Sequence, residues 1–211
     1  MPAGRDTMLT AEGSRKPGGA LHAIVLAAGA STRFGSPKQL VRLAGRPLLH
    51  TVVTRAAEVT GNALIVVLGS QAAELASLLK HSAGTIVVNH EWREGLASSI
   101  RTGVAHLPAA CSGVMLLLAD QAAVTADDLK RLAGSWRRQP QCIAAAMYAG
   151  TIGVPAIFPR SSFRELGELR GDAGARALLR RNSDRLVRVP MESAAIDLDT
   201  PEDLLALQAP R

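Results

Sequence analysis

The sequence predicts one large α/β domain, a mostly parallel sheet with helical layers on both faces. Four short apolar runs precede residue 120, and stretches of helical apolar spacing separate them. Each run ends in or just before a small or polar residue of the kind that leaves a sheet at its carboxyl rim. A chain of 211 residues suits a single core of this kind. Residues 1–20 carry Gly, Pro, Arg and Asp without an apolar centre. They read as a disordered leader, with Met8 as an alternative start, before a domain spanning residues 21–211.

His22 to Leu26 is the first apolar run, ending in Ala28-Gly29 as a buried parallel strand does. Residues 46–58 have helical spacing, with Pro47 in the first turn, where a missing N–H does no harm. Ala63 to Leu68 forms a second strand and residues 71–80 a second helix. Thr85 to Val88 gives a third strand, followed by a loop and a helix over about 98–106. Val114 to Leu118 is the fourth strand, and residues 125–136 form a further helix, capped by Thr125 with Asp128 at N3. From Ile143 to Met147 onward the elements become shorter and less regular. Right-handed crossovers place helices on both faces, and ligands of such sheets bind beyond the carboxyl ends of the strands. Gly29, Gly69, Asn89 and Asp120 are therefore expected on one rim.

Composition narrows the function. Aromatic residues are only 3%, which argues against a groove that stacks single-stranded bases. The net charge of +6 comes from scattered arginines rather than a basic run, so small anionic ligands fit better than duplex nucleic acid. Cys111 and Cys142 have neither CxxC nor zinc spacing and read as buried thiols of a reducing compartment. The histidines form no HxxxH pair. No stretch approaches the ~20 apolar residues that span a bilayer. The expected location is cytoplasmic, with no nucleic-acid or membrane partner.

The most informative segment is Leu26-Ala27-Ala28-Gly29-Ala30-Ser31-Thr32-Arg33-Phe34-Gly35-Ser36-Pro37-Lys38-Gln39-Leu40. Its small residues let backbone N–H groups approach a phosphate, and Arg33 and Lys38 add positive charge. The spacing matches neither a Walker A loop nor GxGxxG. Asp120 ends the Leu116–Leu118 run, where a rim carboxylate is placed to hold Mg²⁺ against phosphate oxygens. Near the chain's end, Thr200-Pro201-Glu202-Asp203 reads as a helix cap, whereas Asp197 and Asp199 share a face of the extended segment before it.

These segments resemble the nucleotidyltransferase superfamily of molybdenum-cofactor guanylyl- and cytidylyltransferases, over about residues 22–207. Ala28 before Gly29 resembles the cytidylyl branch. The resemblance implies a three-layer α/β/α, Rossmann-like nucleotidyltransferase fold. It also implies a nucleotide loop at Leu26, Ala27, Ala28 and Gly29, with Arg33 and Lys38 on the phosphates. The metal expected is Mg²⁺, with Mn²⁺ as an alternative, held by Asp120 and completed by Asp199 in preference to Asp197. Gly69 joins the nucleotide-binding rim. Asn89 to Ile100 resembles a loop closing over the nucleotide, where Gly95 permits close approach and Ser99 offers a hydroxyl to base or phosphate. Ser98 reads equally well as a helix cap.

Gly150 to Phe158 and Gly171 to Arg176 resemble the acceptor side, with Arg176 on an acceptor phosphate and Asp172 capping the next helix. The chain departs from the pattern at Ala122, where relatives show Pro, and at Val154, where many show His. The partners so implied are CTP or another NTP, a phosphorylated pterin-type acceptor and a recipient molybdoenzyme. Other readings are a sugar-phosphate or similar small acceptor, and a non-catalytic nucleotide-binding module. A phosphate acceptor is mostly dianionic near neutrality and needs no general base, so the expected reaction is attack on the α-phosphorus with pyrophosphate leaving.

Overall fold

The computed structural model describes residues 20–30 and 37–198, together with Asp203. Strand β1 (Ala20–Ala27) is followed by a two-residue ribbon, β2 (Arg42–Leu43) and β3 (Arg46–Pro47), and by α1 (Leu48–Thr60). Then come β4 (Leu64–Leu68), α2 (Ala72–Leu78), β5 (Thr85–Val88), α3 (Leu96–Ala105), β6 (Cys111–Leu118) and α4 (Ala126–Arg138). The last part contains β7 (Ile143–Tyr148), β8 (Thr151–Pro159), α5 (Phe163–Gly167), α6 (Arg176–Arg181) and β9 (Leu186–Pro190). No helix among the described residues is long and apolar enough to cross a membrane.

The seven-stranded sheet has the order β5-β4-β1-β6-β8-β7-β9, and β8 is its one antiparallel member. The chain runs outward from β1 through β4 to β5, then returns to lay β6 on the other side of β1. That reversal opens a crevice at the carboxyl ends of β1 and β6.

Alternation along the strands divides the core into two layers. Ala23, Val25 and Ala27 of β1 pack with Leu48, Val52 and Ala56 of α1, Leu75 of α2, and Leu129, Leu132 and Trp136 of α4. Ile24 and Leu26 point the other way, toward Ala97 and Ile100 of α3, Leu166 of α5, and Leu178 and Leu179 of α6. This is the expected three-layer α/β/α, Rossmann-like architecture. With few aromatics to fill the space, small residues bring backbones close. Trp136 lies against Gly113, where any side chain would collide with the indole.

Two local expectations are corrected, and a third in part. Ser98 does not cap α3: the helix starts earlier, with Gly95 at φ +113° in the cap position, and the Gly171 carbonyl accepts from the Ala97 N–H at 3.1 Å. Asp172 does not cap α6, whose N-cap is Ala175 without a side-chain bond. After residue 147 the helices are short, as expected, with five residues in α5 and six in α6, but β8 is nine residues long and β9 extends the sheet beyond β7. A two-residue turn joins β7 to β8, with Ala149 at φ 46° and Gly150 at φ 70°. Such primed turns usually announce themselves by Asn-Gly or Gly-Gly, and the alanine hides this one. The Thr125–Asp128 capping box of α4 is present in both directions, at 3.1 and 2.9 Å.

Candidate active site

A cavity of about 670 Å³ opens where β1 and β6 end. Its floor is Leu26, Ala27, Ala28, Gly29 and Ala30 from β1, with Leu118, Ala119 and Asp120 from β6. Lys38, Gln39, Trp92, Arg93, Gly95, Ser99 and Asp172 complete the wall. Among the described residues nothing lies within 4 Å of where a Gly29 Cβ would stand, so its backbone borders the cavity uncovered.

The turn carrying Lys38 is fastened to β1 by Gln39. Its buried amide donates to the carbonyls of Gly29 at 3.0 Å and Ala27 at 3.4 Å. Lys38 Nζ thereby reaches Asp120 Oδ2 at 2.5 Å, both side chains being 18% exposed. The other carboxylate oxygen, Asp120 Oδ1, is buried and has no hydrogen-bond partner among the described residues. A buried carboxylate oxygen without a donor is costly unless something positive completes it. Magnesium is commonly held by one or two carboxylates together with phosphate oxygens and water, so Asp120 fits such an ion.

The C-terminal segment arrives at the same point. The Leu198 N–H donates to the Asp120 carbonyl at 3.0 Å, and Ser193 Oγ donates to Asp128 Oδ2 at 2.8 Å. Burial alone would raise the Asp128 carboxyl. The bonds from Thr125, Ser193 and Arg131 outweigh it and hold the group below its ordinary value. Asp197 is exposed, one residue before the buried Leu198. Arg33 and Asp199, expected on the phosphates and the metal, lie outside the described residues.

Opposite β1, the loop after β5 is organised by Asn89. Its Oδ1 accepts from the Glu91 N–H at 2.9 Å, which turns Nδ2 toward Ser98 Oγ at 2.8 Å and Ser99 Oγ at 3.0 Å. Ser98 hands its proton to the Gly95 carbonyl at 2.8 Å. Ser99 accepts from Asn89 and lines the cavity, and its own O–H has no acceptor among the described residues. The Arg93 guanidinium sits over the Trp92 ring, 4.4 Å from its centroid.

Gly95 is needed where it stands, because a Cβ would strike Asp172 and the Gly171 carbonyl. This close approach joins the 91–95 loop to the 169–172 loop. Arg101 seals the join by gripping both Glu94 oxygens, at 2.8 and 2.5 Å, while donating to the Leu169 carbonyl at 2.8 Å. Those bonds push the Glu94 carboxyl down to about 2.

A second cavity of about 250 Å³ adjoins the first, sharing Leu26, Leu96, Leu118 and Asp172 with it. Its walls are largely apolar, including Ile100, Leu116, Val154 and Ala175, with Arg176 as its cation. Arg176 thus stands apart from Lys38 and Asp120, in the chamber where an acceptor side was expected. Gly69 lines neither cavity: it packs against Ala28 and Trp92, where a Cβ would lie 2.8 and 2.7 Å from theirs. Ala122, at the position of the resembled proline, keeps an N–H that donates to the Asp120 carbonyl at 2.7 Å.

Comparison with known proteins bears on the family and the fold. The family model described as the MobA-like NTP transferase domain matches residues 23–186. Among curated proteins, nicotine blue oxidoreductase of Paenarthrobacter nicotinovorans is 29% identical, over 87% of this chain and 94% of its own. The purine catabolism protein PucB of Bacillus subtilis is 25% identical, over 85% of this chain and 92% of its own. Among solved structures, Rv0371c of Mycobacterium tuberculosis superposes with a TM-score of 0.79 at 28% identity, covering 90% of this chain and 97% of that one. A manganese complex of Rv0371c has also been solved, at TM-score 0.73, 26% identity and 90% and 97% coverage. This chain belongs to the MobA-like NTP transferase family.

Proposed function

We propose that this protein transfers CMP from CTP to the phosphate of a molybdopterin-type acceptor, releasing pyrophosphate. The observation that carries the reading is Asp120, which meets Lys38 through one oxygen and keeps the other buried and, among the described residues, unpartnered at the floor of the larger cavity. Carboxylate, cation and exposed backbone at a sheet's carboxyl rim are the groups that phosphoryl chemistry needs.

Each chamber then has its task. The backbone from Ala27 to Ala30 receives the nucleotide, Ser99 donates to its base or a phosphate, and Lys38 with Arg33 neutralises charge on the departing pyrophosphate. Ala28 before Gly29, the form that resembles the cytidylyl branch, is what supports CTP over GTP. Asp120 and Asp199 are the residues that would hold Mg²⁺, or Mn²⁺ in its place; the bound ion supplies charge neutralisation between phosphate oxygens. The Leu198–Asp120 bond supports this pairing, because Asp199 is the next residue in the chain.

The smaller chamber takes the acceptor. Its apolar walls suit a flat heterocycle better than a polyhydroxylated sugar, and Arg176 is its cation for the acceptor phosphate. No side chain is required as general base, since the attacking phosphate is already dianionic. Pyrophosphate release across a panel of NTPs and acceptors tests the reading. It expects CTP with a phosphorylated pterin to lead. A clear preference for GTP, or for a sugar phosphate, would replace the nucleotide or acceptor assignment, and no release with any pair would remove the transferase reading.

A further inference from the structure

The turn after Asp120 is held from outside by an arginine that no motif announces. Arg55, on α1, directs Nη1 at two carbonyls, Ala122 O and Val124 O, each at 2.7 Å. Ala122 and Val124 are 1% and 3% exposed, so their carbonyls have little access to water and need a protein donor. Burial lowers the guanidinium from its ordinary value, and Asp128 and Glu58 offset part of that loss. The turn is also tied internally, by the Ala122 and Leu198 N–H groups on the Asp120 carbonyl and by Gln121 Nε2 on the Val154 carbonyl at 2.7 Å. Asp120 itself has Lys38 on Oδ2 and, among the described residues, no hydrogen-bond partner on Oδ1. The direction of Oδ1 therefore depends on the backbone of the turn together with the Lys38 contact.

We propose that Arg55 is a positioning residue, which clamps the Ala122 and Val124 carbonyls and so fixes the direction in which Asp120 presents Oδ1 to a divalent cation. The inference rests on the reading of Asp120 as a cation ligand. Arg55 touches neither cation nor substrate; it acts through the turn, as supporting groups around metal ligands do.

The test uses the full chain, Mn²⁺ titrations followed by electron paramagnetic resonance, and hydrogen exchange over residues 121–124. Arg55→Met is expected to weaken Mn²⁺ binding by about tenfold, the low end of the effect of losing a supporting group. It is also expected to speed exchange in the turn. Leu166→Ala, which opens the core on the opposite face of the sheet, serves as the stability control. It should lower the melting temperature while leaving Mn²⁺ affinity and turn exchange unchanged. Wild-type Mn²⁺ affinity in Arg55→Met, or losses in Leu166→Ala as large as those in Arg55→Met, would overturn the proposal. Asp120→Ala keeps the two readings apart. If it binds Mn²⁺ as the wild type does, the cation assignment falls, and the exchange rates of Arg55→Met alone decide whether the clamp exists.

Discussion

Ser98 and Ser99 are adjacent, both are buried, and both accept from the same Asn89 amide, yet among the described residues an acceptor takes the hydroxyl of Ser98 and not that of Ser99. Replacing each by alanine separates a ligand contact from a structural one. Ser99→Ala removes one bond from Asn89, which keeps its bond to Ser98. A neutral hydrogen bond contributes about 1 kcal/mol, so the melting temperature should fall by roughly 2–4 °C. The variant also loses the O–H that faces the cavity. If that hydroxyl donates to a neutral base atom, affinity for CTP should drop by roughly 2- to 12-fold, equivalent to about 0.5–1.5 kcal/mol. Ser98→Ala breaks two bonds, to Asn89 and to the Gly95 carbonyl, at a cost of about 2 kcal/mol and roughly 4–8 °C. The less stable variant should thus be the better binder, with CTP affinity near that of the wild type. Trp92 lies in the cavity wall, so quenching of its fluorescence by CTP reports binding directly. Equal loss of affinity in both variants would show that loop order, not a donated hydroxyl, matters. Wild-type affinity in Ser99→Ala would remove Ser99 from the ligand site.

Gly95→Ala should lower stability by about 1–3 kcal/mol, because φ +113° strains any side chain and the new methyl meets the 171–172 loop; a thermal melt measures it. The contact with Arg101 holds the Glu94 carboxyl down at about 2 instead of 4.5, so the stability it contributes is full above pH 4.5 and declines below it, and the contact itself breaks as pH falls toward 2. Acid titration of Trp92 fluorescence should show that transition, and Glu94→Gln should abolish it. Lys38→Ala should reduce turnover by about 10²–10³, in kcat more than in KM, if Lys38 meets charge that develops on pyrophosphate. Normal turnover at saturating CTP would show that its loop only binds.

The parallel half of the sheet was legible because its strands are apolar on both faces and its helices carry one-sided apolar spacing. From β1 to α4, elements fall where the pattern puts them, within a few residues. The pattern weakens after β7, where the turn uses Ala149 in place of a telling glycine or asparagine and β8 reverses direction. In the site, Ala27 to Gly29, Lys38, Gly95, Ser99 and Asp120 stand out in the sequence because each is of a residue type with known chemistry at a strand's end, and all of them line the larger cavity. Gly69 was singled out by the same logic but packs against Ala28 and Trp92 outside both cavities, because a rim position alone does not separate a cavity wall from a packing contact. Gln39 and Arg55 carried no signal of their own. Their importance lies in which carbonyls they reach across the fold, at separations of 10 to 69 residues, and only the tertiary structure displays that. Asp172 offered a cap in the sequence and became a wall shared by both cavities, since the preceding loop is drawn toward Gly95 instead of toward α6.

The central claim is that Asp120 holds the cation around which nucleotidyl transfer occurs. Pyrophosphate release by Asp120→Ala, measured with Mg²⁺, CTP and a phosphorylated pterin acceptor beside the wild type, tests it most directly. Loss of the side chain removes the Lys38 contact but also a buried carboxylate oxygen without a donor among the described residues, two effects of opposite sign, and should leave a folded protein. The expected result is release reduced to background at an almost unchanged melting temperature. Release at the wild-type rate from that variant would contradict the account.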